Sequence, residues 1–228
     1  MEKTQQQILR HHGGDGEQAR TMITQSYERR HDTAFWAFWN QQMSGPIQPQ
    51  EVVLDLGAGI GQFVQDLALR YPHNRILGIE AADYMLAAAL SLPENAHLLR
   101  GDLLAPDLNW AQSGQVAAVM ANMLLHELPQ PVSLIKAVFA WLKPGGRWCV
   151  IDLVRQPLSA YLEHKFPQGD LWQEPMASLP IEAVFEHFSE HNRYHAEDLI
   201  YLLQSAGFVL VERTDFPRTV RLVVEKPA

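Results

Sequence analysis

Cysteine is almost missing: of 228 residues only Cys149 carries a thiol. That excludes an intramolecular disulfide and any zinc site built on several thiolates. Long apolar runs are missing too. The longest, Tyr84 to Leu90, has seven residues, against the ~20 of a membrane-spanning helix. No apolar core follows the polar start MEKTQQQILR, so no secretory leader is read and the cytoplasm is expected. Excess positive charge is absent, with 18 Lys+Arg against 26 Asp+Glu and a net charge of -8. Such a chain lacks the field that captures nucleic-acid backbones. What is present is 47% hydrophobic residues, enough for one well-filled domain and too many for a disordered chain.

Residues 1–17, with the run HHGGDG, read as a frayed tail. Residues 18–44 read as one or two helices, with Ile23, Tyr27, Ala34, Phe35 and Phe38 at helical spacing and Trp36 and Trp39 off that stripe. From Glu51 onward, short apolar strands alternate with helices. Strands are read at Glu51–Leu56, Arg75–Glu80, Ala96–Leu99, Val116–Ala121 and Arg147–Asp152, and helices at Gln62–Arg70, Asp83–Leu90 and Val132–Leu142. Near-continuous apolar strands imply a parallel sheet covered on both faces. After a helix at Ala196–Ser205, the strands Val209–Arg213 and Val220–Val224 follow with no helix between them, so the last is antiparallel to its neighbour. The long aromatic stretch 153–194 lies past the fifth strand, where α/β proteins build substrate sites.

The strongest local signal is Asp55-Leu56-Gly57-Ala58-Gly59-Ile60-Gly61. Glycines at a strand-to-helix turn let a ligand approach the backbone, and the helix start offers free N–H groups. A dinucleotide loop would need glycine at residue 62, which is Gln62, so a nicotinamide oxidoreductase is disfavoured. No Gly-Lys-Ser/Thr follows, so this is not a P-loop. Asp55 suits a cationic ligand, or else organises the loop. Glu80, at the tip of the second strand, can accept the hydroxyls of a ribose. Asp102, at the tip of the third, can accept from the amine of a base.

VLDLGAGIGQF, the Glu80 tip, RGDLL at Arg100–Leu104 and LKPGGRWCVID at Leu142–Asp152 resemble the class I S-adenosylmethionine-dependent methyltransferases. The resemblance runs from about residue 50 to the end of the chain. It implies a doubly wound α/β fold with seven strands in the order 3-2-1-4-5-7-6, strand 7 antiparallel, and S-adenosylmethionine as cofactor. It further implies that Gly57 and Gly59, with Ala58 between them, face the methionine part. Glu80, followed by Ala81, would bind the ribose. Asp102 and the Leu103 N–H would read the adenine, and Ala121 and Asn122 would lie along the methionine chain. Ala81-Ala82 depart from the polar residue and proline often found there.

The expected activity is methyl transfer to a small molecule, the alternative being a regulatory or partner protein that binds the cofactor without turnover. Asn122 is followed by Met123-Leu124 rather than Pro-Pro-Tyr, which argues against DNA adenine or protein glutamine as acceptor. His126, shortly after the fourth strand, is the candidate general base, since an unshifted imidazole suits proton abstraction near neutrality. Tyr27, His31, Trp36, Trp39, Tyr161 and Trp172, with Asp152 at the end of the fifth strand, are the candidate substrate residues. Segments 18–44 and 153–194 are expected to cover the ends of strands four and five, leaving 45–228 as the cofactor-binding domain. No metal site is expected: His187, His191 and His195 recur every four residues but read as a solvated face.

Overall fold

The computed structural model describes residues 16–166 and 181–228. The 1–15 stretch of the expected tail and Trp172 lie outside the described residues. Helices α1 (Gly16–Arg30) and α2 (Thr33–Gln42) lead into β1 (Val52–Leu56), α3 (Gln62–Arg70), β2 (Arg75–Glu80), α4 (Asp83–Leu86) and β3 (Ala96–Arg100). Then come β4 (Val116–Asn122), a 3₁₀ turn at Leu125–Glu127, α5 (Val132–Trp141), β5 (Leu142–Leu153), α6 (Leu158–Lys165), α7 (Ile181–His191), α8 (Ala196–Ser205), β6 (Val209–Asp215) and β7 (Thr219–Glu225). The strands form one sheet in the order β3-β2-β1-β4-β5-β7-β6, with β7 antiparallel to both neighbours and the other pairings parallel.

Two expected elements differ by more than two residues at one end. The helix after β2 stops at Leu86 rather than Leu90, because the Leu90 N–H donates to Ile60 O at 2.9 Å and draws the chain onto the glycine turn. Strand β5 starts at Leu142, and the β4–β5 register jumps from Val116↔Leu142 to Ala118↔Arg147, so Lys143–Gly146 bulge out within the strand.

Both sheet faces are buried. Leu54, Leu77, Val119 and Trp148 pack beneath α5 and α8 on one side. On the other, Val53, Ile76, Met120 and Cys149 meet Phe63, Val64 and Leu67 of α3 and Phe35, Phe38, Trp39 and Met43. Helix α2 is therefore part of the core and not a cover, which corrects the expected boundary at residue 44. Its buried stripe is Phe35, Phe38 and Trp39, so Trp39, read as off-stripe, lies at its centre with Nε1 donating to Tyr71 O–H at 2.9 Å. Asp32 caps the helix by accepting from the Phe35 N–H at 2.8 Å. Tyr161, Val184 and Phe188 make a small separate cluster between α6 and α7.

Candidate active site

The sheet order reverses between β1 and β4, and a cavity of about 550 Å³ opens beyond the carboxyl ends of the strands there. Gly57, Gly59 and Gly61 sit at φ 75°, 57° and 90°, a left-handed region closed to most residues. That conformation turns the chain back on β2: the Gly57 and Ala58 N–H groups both donate to Ile79 O, at 2.9 and 3.1 Å. Glu80 then closes the loop. Its Oε2 accepts from the Gly59 N–H at 2.8 Å, and its Oε1 from Ala81 and Ala82 at 2.9 and 2.7 Å. Burial raises the Glu80 carboxyl above its ordinary value, while the three N–H donors oppose that rise. Asp55, buried beneath the turn, is pushed up to about 7 by burial and by the Glu80 charge. Asp102 accepts from the Leu104 N–H at 3.0 Å and faces the cavity beside Leu103.

Of the expected cofactor residues, Asp55, Gly57, Ala58, Gly59, Glu80, Ala81, Asp102, Leu103 and Asn122 line this cavity; Ala121 does not, being packed into the core. Asn122 Oδ1 is buried with no hydrogen-bond partner among the described residues, and Nδ2 lies 3.5 Å from His31 Nε2. Met123, next along the wall, holds φ 58° with its N–H on Ile151 O at 2.7 Å, a strained turn at the cavity's edge.

Helix α1 forms the opposite wall through Ile23, Tyr27, Arg29 and Arg30, with His31 just past its end. The Tyr27 hydroxyl donates to Asp66 at 2.5 Å, and burial with that contact pushes its pKa far up. His31 stacks on Tyr27 with centroids 4.2 Å apart. Its Nδ1 lies 3.1 Å from Tyr27 O, a backbone acceptor that fixes the proton there and leaves Nε2 as the lone pair. Burial lowers His31 to about 4 despite that bond, so the ring is neutral at pH 7.

Four other substrate candidates do not reach the cavity. Trp36 stacks on Phe63 under Arg70, Trp39 is core, and Tyr161 sits in the α6–α7 cluster with its hydroxyl 2.6 Å from His187 Nδ1. Asp152 is fully buried and organises the loop after β4, accepting from the Leu125 N–H and the Leu153 N–H. It also lies 2.5 Å from His126 Nδ1, while His126 Nε2 is 3.3 Å from Glu127. Burial opposes a charge on His126, but Asp152 and Glu127 outweigh it and raise the imidazole to about 10. With a carboxylate at each ring nitrogen, the imidazole is tied into an ion-paired network rather than left free to take a proton, against the expected general base.

Glu127, on the cavity wall, escaped the sequence reading, and His191, expected on a solvated face, is instead buried on that same wall. His191 Nε2 lies 3.2 Å from Glu127, and its ring is buried. His187 stacks on it, whereas His195 starts α8, so the regular four-residue spacing does not bring those three histidines together.

Comparisons agree with this geometry. A family model described as a methyltransferase domain matches residues 27–213. The trans-aconitate 2-methyltransferase of Azoarcus sp. (strain BH72) is 30% identical over 101 residues, 44% of this chain and 38% of that protein. That of Rhizobium meliloti (strain 1021) is 32% identical over 105 residues, 46% of this chain and 39% of that protein. The chain thus spans well under half the length of either relative. Among solved structures, Haemonchus contortus phosphoethanolamine N-methyltransferase 2, complexed with phosphomonomethylethanolamine and S-adenosylhomocysteine, superposes with a TM-score of 0.68 at 14% identity, covering 99% of this chain and 60% of that one. The [4+2]-cyclase SpnF superposes at 0.63 with 16% identity, covering 86% and 80%. Such distant structures speak for the fold alone. Together with the family match over most of the sequence, the strand order and the glycine turn place the chain in the methyltransferase-domain family, with the class I, S-adenosylmethionine-dependent, Rossmann-like fold.

Proposed function

We propose that the chain binds S-adenosylmethionine in this cavity and transfers its methyl group to a small organic acid. The observation that carries the reading is the convergence of three strand-end carboxylates, Asp55, Glu80 and Asp102, on one cavity with the positive-φ glycine turn. A pyrophosphate is repelled by such a wall, whereas a sulfonium and an ammonium are attracted. The unpartnered Asn122 Oδ1 is a ready acceptor for an ammonium N–H. The cofactor supplies the reactive methyl. Glu80 and Asp102 would hold its ribose and adenine, and Asp55 its positive end.

The α1 wall supplies the opposite charge. Arg29 and Arg30 both reach the cavity, and burial together with the Arg29 charge lowers Arg30 from its ordinary value. A carboxylate docked there relieves both effects, and two relatives are named for trans-aconitate. Neutral His31 offers Nε2 to a donor on the acceptor. Leu124, Leu128 and Met123 line the remaining wall and keep water from the reacting centre. Orientation alone supplies a large part of such a rate, about 7–11 kcal/mol in well-built cases, so no strong base is required.

The test is a thermal-shift panel followed by turnover on small organic acids. S-adenosylmethionine and S-adenosylhomocysteine should raise Tm, NAD and NADP should not, and S-adenosylhomocysteine should accumulate with an acid acceptor. No shift with either sulfur compound overturns the cofactor assignment. A shift without turnover on any acceptor overturns the enzymatic reading in favour of a cofactor-binding regulator.

Asp55 gives the binding a pH dependence of known sign. Its carboxyl is near 7 in the free chain, and an adjacent cation lowers it, so binding expels a proton. S-adenosylmethionine affinity should therefore rise as pH increases toward 7, approaching tenfold per unit, and level off above it. In Asp55→Asn the profile should be flat. Calorimetry across the range decides, and an unchanged slope in that variant shows that another group titrates.

A further inference from the structure

We propose that His126, Glu127 and His191 form a binding site for one zinc-like divalent transition-metal ion on the cavity wall. Their donor atoms all lie within 4.8 Å of one another. His126 Nε2 and His191 Nε2 stand 3.3 and 3.2 Å from the same carboxylate oxygen, Glu127 Oε1. Donors placed 2.0–2.1 Å from a tetrahedral ion are about 3.3 Å apart, so these two edges already have the required length. Two imidazoles with one carboxylate, and room for a further ligand on the cavity side, suit zinc or iron(II) rather than magnesium or calcium.

The surroundings carry the proposal further. A metal-bound imidazole needs its other nitrogen held by an acceptor, which fixes the tautomer and the ring plane. Both rings have one. His126 Nδ1 faces Asp152 Oδ1 at 2.5 Å, and His191 Nδ1 lies 2.9 Å from His187 O. His187 also stacks on His191 with centroids 3.9 Å apart and planes 10° apart. The two segments that bring the ligands together are cross-braced: Arg193 donates to His126 O and the Tyr194 hydroxyl to Leu128 O, each at 2.6 Å. An ion pair needs none of this orientation, whereas a metal site depends on it.

All three ligands line the same cavity as Asn122 and the glycine turn. The ion's remaining position therefore opens on the space where the acceptor binds, and an acceptor oxygen is its natural fourth ligand. The role toward the acceptor rests on the methyltransferase reading; the metal site does not.

The test uses the full chain carrying His11→Ala and His12→Ala, so that the histidine pair in the N-terminal stretch adds no site. The protein is stripped with chelator and titrated with zinc(II) by calorimetry and with cobalt(II) by visible absorption. One ion per chain and the d–d bands of tetrahedral cobalt(II) are expected. His191→Ala and, separately, Glu127→Gln should each weaken zinc by at least about 100-fold; if one fails to fold, the other is read. Zinc affinity unchanged in the folded variants, or cobalt spectra without tetrahedral bands, overturns the site and leaves an ion-paired brace. S-adenosylhomocysteine affinity is measured in parallel. Zinc binding without it removes the methyltransferase reading alone, and the reverse removes only the metal site.

Discussion

Replacing Glu80 by glutamine should weaken S-adenosylhomocysteine binding about 100-fold, although the side chain keeps its size. The carboxylate uses three of its roughly four lone-pair sites on the N–H groups of Gly59, Ala81 and Ala82. The remaining site faces the cavity, where a ribose hydroxyl would donate. An amide turns one acceptor oxygen into a donor. Whichever way it rotates, it sets N–H against N–H at Gly59 or at the Ala81–Ala82 pair. A buried donor left unpaired costs about 1–3 kcal/mol, and a lost hydrogen bond to a charge a similar amount, so the sum reaches two powers of ten. Removing the Glu80 charge also removes one of the two causes that raise Asp55, so the pH midpoint of binding should move down. Calorimetry on Glu80→Gln reads the affinity loss with S-adenosylhomocysteine and the shifted midpoint with S-adenosylmethionine across pH. Wild-type affinity in that variant would mean that the ribose lies elsewhere and that the turn holds its shape without this carboxylate.

Cutting the N-terminal helices at two points should give opposite results. A chain of residues 32–228 keeps Asp32, the cap of α2, and all of the α2 core. It loses Ile23, Tyr27, Arg30 and His31 from the cavity wall. It should fold cooperatively, lose about tenfold in cofactor affinity through its exposed glycine turn, and lose acceptor binding and turnover. A chain of residues 45–228 also loses Phe35, Phe38, Trp39 and Met43, each buried against the sheet. Truncating one such aromatic costs about 3–5 kcal/mol, and a domain has only about 5–15 kcal/mol in reserve. That shorter chain should not fold. Circular dichroism melts on both settle the point: a cooperative transition in 45–228 would show that α2 is dispensable, and full turnover in 32–228 would show that α1 is not the cover.

Much of this was legible in the sequence because it is local. The glycine turn needs only adjacent residues with access to positive φ, and strands buried on both faces show themselves as unbroken apolar runs. Acids at strand tips are placed by the strand ends themselves, which is why Asp55, Glu80 and Asp102 were found together. Errors at element ends have local causes too, such as the Leu90 N–H leaving its helix for Ile60 O.

The amino-acid sequence by itself determined the alternating strands and helices, the antiparallel last strand, the glycine turn and the carboxylates that line the cavity, and its family resemblance supplied the strand order. Only the tertiary structure decided what each apolar or polar face meets. Helical periodicity marks Phe35, Phe38 and Trp39 as a stripe but cannot say whether the sheet or a ligand lies opposite. Strand alternation sends Ala121 into the core while Asn122 lines the cavity. The pairing of His126 depends on Asp152, delivered by a neighbouring strand. The meeting of Glu127 with His191 depends on how α7 packs against the loop after β4. Contacts between groups distant in sequence are fixed by burial across layers, and no spacing along the chain encodes them.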